Sequence, residues 1–269
     1  MRWSGGGATH AGLVRGGNED SAFVGPTCLL VADGVGGGAA GEIASATTAY
    51  VVSAIALRRA GDEPAGVLVD AVAAARRELA RGVAAERARA GMATTLTALV
   101  TDGESVVLAH AGDSRGYLLR DGELVRLTRD DTFVQELIDE GMLAPGESAA
   151  HPWRNVVTRT ISERGAPVHV RELDLAPGDR LLLATDGLTD LVAEERIAAI
   201  LADPDDETAA GALVAAALAA GGRDNVTCVV ATVVDGPPVP GVGRLLGAVQ
   251  DPHNIVDPAG VRQWPATAG

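Results

Sequence analysis

Apolar runs broken at Gly, Pro and Asp-Gly divide the chain into short strands and longer helices. Residues 21–25 and 27–32 read as two strands split around Gly25-Pro26, a turn signal. From 39 to 59 the pattern turns helical, and Pro64 opens a second long helix that reaches to about residue 90. Strand-like runs follow at 94–100, 105–111, 115–119 and 124–127, with Asp102-Gly103 and Asp121-Gly122 as hairpin turns. This is a meander, so the sheet is expected to be largely antiparallel.

The character changes between residues 128 and 160. A short amphipathic helix over 132–140 stops at Gly141, and Pro145-Gly146 begins another polar turn. A mostly polar insert between sheet segments predicts a flap over a site rather than a second core. Strands resume at 168–173 and 180–184, helices at 194–202 and 207–220, and a last strand at 226–234. The order favours an α+β fold in which two sheets pack together and are flanked by helices. One domain is expected over 1–234, followed by a Pro- and Gly-containing, poorly ordered tail over 235–269.

Composition narrows the functional classes. Apolar residues make up 47 % of the 269 positions and aromatics only 3 %, so Ala, Val, Leu and Ile must build the core. The net charge is −14, and all 22 basic residues are Arg. A chain this acidic repels phosphate backbones, which argues against a nucleic-acid partner. No stretch matches a membrane span, the Ala-rich segment at 208–220 being too short, and the first ten residues lack the apolar core of a signal peptide. A cytoplasmic protein without a membrane partner is expected. Cys28 and Cys228 belong to no CxxC pair, which predicts free, buried thiols and no zinc site.

Four aspartates carry the chemical signal. Asp33 and Asp186 each follow a strand-like run and precede Gly, Asp113 sits at a break between runs, and Asp224 stands just before the last strand. In antiparallel neighbours one strand's end lies beside the next one's start, so these carboxylates can converge on one rim. Bare clustered carboxylates repel one another, and divalent cations offset that repulsion. An all-oxygen set without His or Cys suits Mg²⁺ or Mn²⁺. Asp-Gly alone is a common turn dipeptide, and only the repetition gives it weight. Arg15 lies a few residues before Glu19 and Asp20, where a guanidinium could grip a phosphate and the acids could bind metal or its water shell.

Taken in order, RGGNED (15–20), ADGVGGGAAGEIAS (32–45), GMATTL (91–96), AHAGDSRGYLL (109–119), TDGLTD (185–190) and RDNV (223–226) resemble the PPM family, the PP2C-type metal-dependent protein phosphatases. The residues of 128–160 look like the flap of its bacterial serine/threonine members. The resemblance implies an αββα sandwich with two metal ions at one end of the sheets. Asp33 would bridge them, Gly34 would give its carbonyl, and Asp186 and Asp224 would complete the pair. Glu19 and Asp20 would act mainly through metal-bound water, while Arg15 would hold the phosphate. Asp113 with Asp186, and also Asp190, matches the place of a third ion. Thr94 and Thr95 match a structural motif, and Ser114 is not expected to be a nucleophile.

The implied function is hydrolysis of phosphoserine and phosphothreonine by direct attack of a metal-bridging water, on proteins phosphorylated by serine/threonine kinases. Two alternatives stand beside it: a non-catalytic module of the same fold, and a phosphatase dedicated to one regulatory partner such as an anti-sigma-factor antagonist. The sequence departs from the family where a His often follows the Asp-Gly, since Val35-Gly36-Gly37-Gly38 stands there. His110 and His151 are expected to be structural. The membrane anchor and sensor domain common in related bacterial enzymes are not expected here.

Overall fold

The computed structural model describes residues 1–35, 40–237, 239 and 241–259. The first half runs β1 (Arg2–His10), β2 (Asp20–Val24), β3 (Cys28–Val35), α1 (Gly41–Arg58), α2 (Pro64–Ala85), β4 (Ala93–Thr94), β5 (Leu96–Thr101) and β6 (Val106–Ala111). Then come β7 (Arg115–Arg120), β8 (Glu123–Arg126), α3 (Phe133–Asp139), β9 (His169–Leu173) and β10 (Arg180–Ala184). The chain continues with α4 (Asp186–Thr189), α5 (Glu194–Leu201), α6 (Asp206–Ala219), β11 (Val226–Val234) and β12 (Arg244–Gly247).

These strands form two antiparallel sheets. One has the order β1-β11-β10-β7-β8, and the other β12-β2-β3-β5-β6-β9 with β4 on β3. Leu29, Val31, Leu99, Leu181 and Val229 interleave between them. The outer face of the β3 sheet packs on α1 and α2 through small and branched residues such as Ala46, Val52, Leu68 and Leu79. The outer face of the β11 sheet packs on α5 and α6 through Ile197, Leu201 and Leu213. The result is the expected α+β arrangement, two sheets with helices on both sides. Cys28 and Cys228 are free and buried, one in each sheet, as the sequence predicts.

Three expectations are corrected. The Gly-rich N-terminus, which the pattern does not mark as a strand, pairs with β11 along its whole length as β1. A Cβ on Gly6 would lie 2.4 Å from the backbone nitrogen of Glu207, so glycine is what lets α6 settle on this strand. Next, α2 stops at Ala85 rather than near residue 90, because Glu86 turns extended and Arg87–Arg89 form a separate tight turn. Finally, the tail is not loose over 244–259. There β12 pairs with β2, and Leu246, Val249 and Ile255 are buried. Periodicity fails to flag it because the segment is a four-residue edge strand followed by tight turns. Residues 260–269 and Gly36, Gly37 and Gly38, where the family His is sought, lie outside the described residues.

Candidate metal centre

Strands β2 and β3 bring the first two acids side by side, with Asp20 directly opposite Asp33 in the register. The backbone around Asp33 is fixed by two threonines. Its carbonyl accepts from Thr94 Oγ1 at 2.7 Å and from the Thr95 N–H at 2.8 Å, and its own N–H donates to Thr95 Oγ1 at 2.9 Å. Thr95 Oγ1 pairs in turn with Ser114 Oγ at 2.8 Å, beside Asp113. Gly34 has no room for a side chain, since a Cβ would fall 2.4 Å from the carbonyl carbon of Gly41 at the start of α1.

The second sheet supplies the facing acids. Asp186 opens α4 directly after β10, and Asp224 precedes β11. Thr185 joins the two halves, donating from Oγ1 to Asp20 Oδ2 at 2.8 Å and accepting from the Thr227 N–H at 3.0 Å. Arg15 Nη2 donates to Asp224 Oδ2 at 2.6 Å, and with a side chain 54 % exposed the guanidinium also faces solvent. That bond to Asp224 holds its pKa above the ordinary value.

Electrostatics show how closely the predicted acids converge. Burial first, then the charges of Asp20, Asp186, Asp113 and Asp224, pushes the Asp33 carboxyl well above the usual range. Burial likewise lifts Asp20 to about 7, Asp113 to about 8 and Asp186 to about 6. Glu19 and Asp190 are also raised, chiefly by burial. Asp20 Oδ1 and Asp186 Oδ1 are buried and have no hydrogen-bond partner. Buried acceptors without donors are costly, and a cation supplies what they lack. The donor set, all carboxylate and carbonyl oxygen, fits hard divalent ions. Among the described residues no three His, Cys, Asp or Glu side chains already form a group able to hold an ion. Mg²⁺-like ions keep several waters of their own, so fewer protein ligands need to meet at one point.

A cavity of about 780 Å³ is lined by Asp113, Asp186, Asp190 and Asp224 from this rim and by Pro145 and Arg154 from the 128–160 insert. The insert is rooted by Asp131, whose N–H donates to the Gly112 carbonyl at 2.8 Å while its Oδ2 accepts from the Gly112 N–H at 3.1 Å. Asp130 beside it accepts from Arg115 Nη2 at 2.9 Å and also pairs with Arg126. His110 is buried between Thr97 Oγ1 and the Arg129 carbonyl, each 3.0 Å away, and His151 packs with Phe133 and Trp153.

The uncharged partners do not stand out in the sequence. Thr185 and Asn225 both lie inside TDGLTD and RDNV, where the acids carry the visible signal. Asn225 Oδ1 accepts from the Glu19 N–H at 2.8 Å, tying the N-terminal motif to β11. Their signal was position within an ordered motif rather than residue type.

A family model described as protein phosphatase 2C matches residues 18–219. The chain belongs to the protein phosphatase 2C family. The serine/threonine protein phosphatase PstP of Mycobacterium tuberculosis is 46 % identical over 228 residues, covering 83 % of this chain but 44 % of its own length. The chain thus spans less than half of that relative. The serine/threonine phosphatase stp of Listeria monocytogenes is 32 % identical over 231 residues, covering 81 % of this chain and 91 % of its own. The crystal structure of the PstP catalytic domain in complex with two manganese ions matches with a TM-score of 0.78 and 42 % identity, covering 87 % of this chain and 99 % of that one. No helix among the described residues of this 2C-family chain is long and apolar enough to cross a membrane.

Proposed function

We propose that this chain is a metal-dependent protein phosphatase acting on phosphoserine and phosphothreonine in cytoplasmic signalling. The observation that carries the reading is the set of carboxyls at the ends of two sheets, two of whose buried oxygens, on Asp20 and Asp186, have no partner, while Asp113, Asp186, Asp190 and the Arg15-paired Asp224 line an open cavity. Family membership and the serine/threonine phosphatase relatives support it, as does the manganese found in the PstP structure.

Asp33, the Gly34 carbonyl, Asp186 and Asp224 would hold two Mn²⁺ or Mg²⁺ ions, with Glu19 and Asp20 supporting them. Asp113, Asp186 and Asp190 would take a third. Bound there, divalent cations make water a competent nucleophile at neutral pH and neutralise charge on a phosphoryl group. The protein's own part is positioning. Arg15, solvent-facing at the rim, binds phosphoryl oxygens through its fork of donors and stabilises their charge as the ester bond breaks. A Ser or Thr hydroxyl is the leaving group, and no covalent phosphoenzyme is required. The open cavity admits a flexible phosphorylated segment, the kind of substrate made by serine/threonine kinases.

Asp33→Ala and Asp224→Ala should each abolish Mn²⁺-dependent hydrolysis of p-nitrophenyl phosphate while circular dichroism shows the fold intact. Wild-type rates in either variant would remove this assignment.

A further inference from the structure

The segment from Ala11 to Gly17 carries Arg15 and is closely packed only at its start, where a Cβ on Gly12 would lie 2.3 Å from the Asp224 carbonyl oxygen and the Leu13 side chain lies against Gly222. Leu13 is 65 % exposed and Val14 70 %, and a Cβ added at Gly16 or Gly17 would meet nothing within 4 Å. Its other attachments are therefore polar. Leu13 N–H donates to the Gly222 carbonyl at 2.7 Å, and Arg15 reaches Asp224. Neither spans the two glycines.

Asn225 does. Its Nδ2 donates to the carbonyls of Ala11 at 2.9 Å and Gly17 at 2.8 Å, closing the segment at both ends. Its Oδ1 accepts from the Glu19 N–H at 2.8 Å, and its own N–H donates to Asp224 Oδ1 at 2.8 Å. The residue is itself immobilised: it is 6 % exposed, and a Cβ on Gly187 of α4 would lie 1.9 Å from its carbonyl oxygen. One acceptor and two donors on a short planar group are what a primary amide offers, and a carboxylate of the same shape lacks the donors.

We propose that Asn225 is a positioning residue that fixes the Arg15 segment against Asp224 and so sets how well the site grips a phosphoryl group. The inference rests on the phosphatase reading for its effect on turnover. It does not depend on that reading for the tether itself. Asn225 is placed on neither substrate nor reacting atoms, and its effect on phosphate binding runs through Arg15.

The test compares Asn225→Ala, Asn225→Asp, Arg15→Ala and the double variant Arg15→Ala/Asn225→Ala. With p-nitrophenyl phosphate and Mn²⁺, Asn225→Ala should raise KM about tenfold with a smaller change in kcat. Asn225→Asp should behave alike, because it keeps the bond to Glu19 and loses both donors. The double variant should be no worse in KM than Arg15→Ala, because two residues acting through one another are not additive. Hydrogen exchange on the metal-free protein gives a readout without turnover: amides 12–18 should exchange faster in both Asn225 variants, and that of Glu19 in Asn225→Ala, while those of β10 stay protected. Unchanged KM, additive losses in the double variant or unaltered exchange over 12–18 would each overturn the proposal. Failure of both Asn225 variants to fold would also overturn it, assigning the residue to the fold alone. An inactive wild type would sink the phosphatase reading instead, and hydrogen exchange would still decide the tether.

Discussion

Thr185 Oγ1 serves two strands at once, donating to the Asp20 carboxyl and accepting from the Thr227 N–H. Valine has nearly the same shape and can do neither. Thr185→Val leaves a buried N–H without an acceptor, which costs about 1–3 kcal/mol, and deprives Asp20 of a donor. The urea midpoint should fall accordingly, Mn²⁺ affinity measured by calorimetry should fall with it, and Thr185→Ser should restore most of both. A valine variant with wild-type stability and affinity would show that the hydroxyl is incidental. The contrast with Asp33 explains what could be read in advance. Acids at strand ends are conspicuous because a buried charge is expensive and needs a reason. A threonine or asparagine at the next position has no such cost, and its role appears only once the register places it opposite a particular carboxyl or N–H.

At the level of elements, β12 shows how a segment with little periodicity becomes part of the fold. It adds to the edge of β2, with Leu246 opposite Ala22 and Gly247 opposite Ser21. Leu246 sits so close to β1 that a Cβ on Gly7 would come within 2.6 Å of it. A Cβ on Gly247 would lie 2.2 Å from the carbonyl oxygen of Asp20, which puts the end of this strand directly behind the acid cluster. Leu246→Ala should therefore destabilise the protein by about 2–4 kcal/mol, the usual range for emptying a leucine site in a core. A chemical melt unchanged by the substitution would mean that β12 does not dock in solution. Strands bounded by turn residues, such as β7 and β10, were legible almost to the residue, since each hydrophobic run starts after a Gly-Asp and ends just before an Asp-Gly. The two edges, β1 and β12, were not. Glycines in β1 serve close approach by α6, and four residues in β12 are too few to establish alternation.

Across the whole molecule, the acid cluster ties stability to pH and to divalent cations with a definite sign. Asp20, Asp186 and Asp113 titrate in the folded state at about 7, 6 and 8, and Asp33 also lies well above the ordinary range. In the unfolded chain such groups titrate near about 3.9. Between roughly pH 4 and 8 the folded state thus holds more protons than the unfolded one, and stability must fall as pH rises. His110, lowered by burial, works the other way below its ordinary value, but it is one group against six once Glu19 and Asp190 are included. Asp102, Asp179, Asp205, Asp251 and Glu207 have lowered values and act at the acid edge of that window or below it. With EDTA present, the melting temperature should accordingly be higher at pH 5 than at pH 8. Divalent cations need the same carboxylates deprotonated, so Mn²⁺ should stabilise little at pH 5 and strongly at pH 8. At a hundredfold excess over its dissociation constant the gain is about 2.7 kcal/mol for one site. A metal-free protein that becomes more stable on going from pH 5 to 8, with no added effect of Mn²⁺, would mean that these carboxyls are not gathered where the fold puts them.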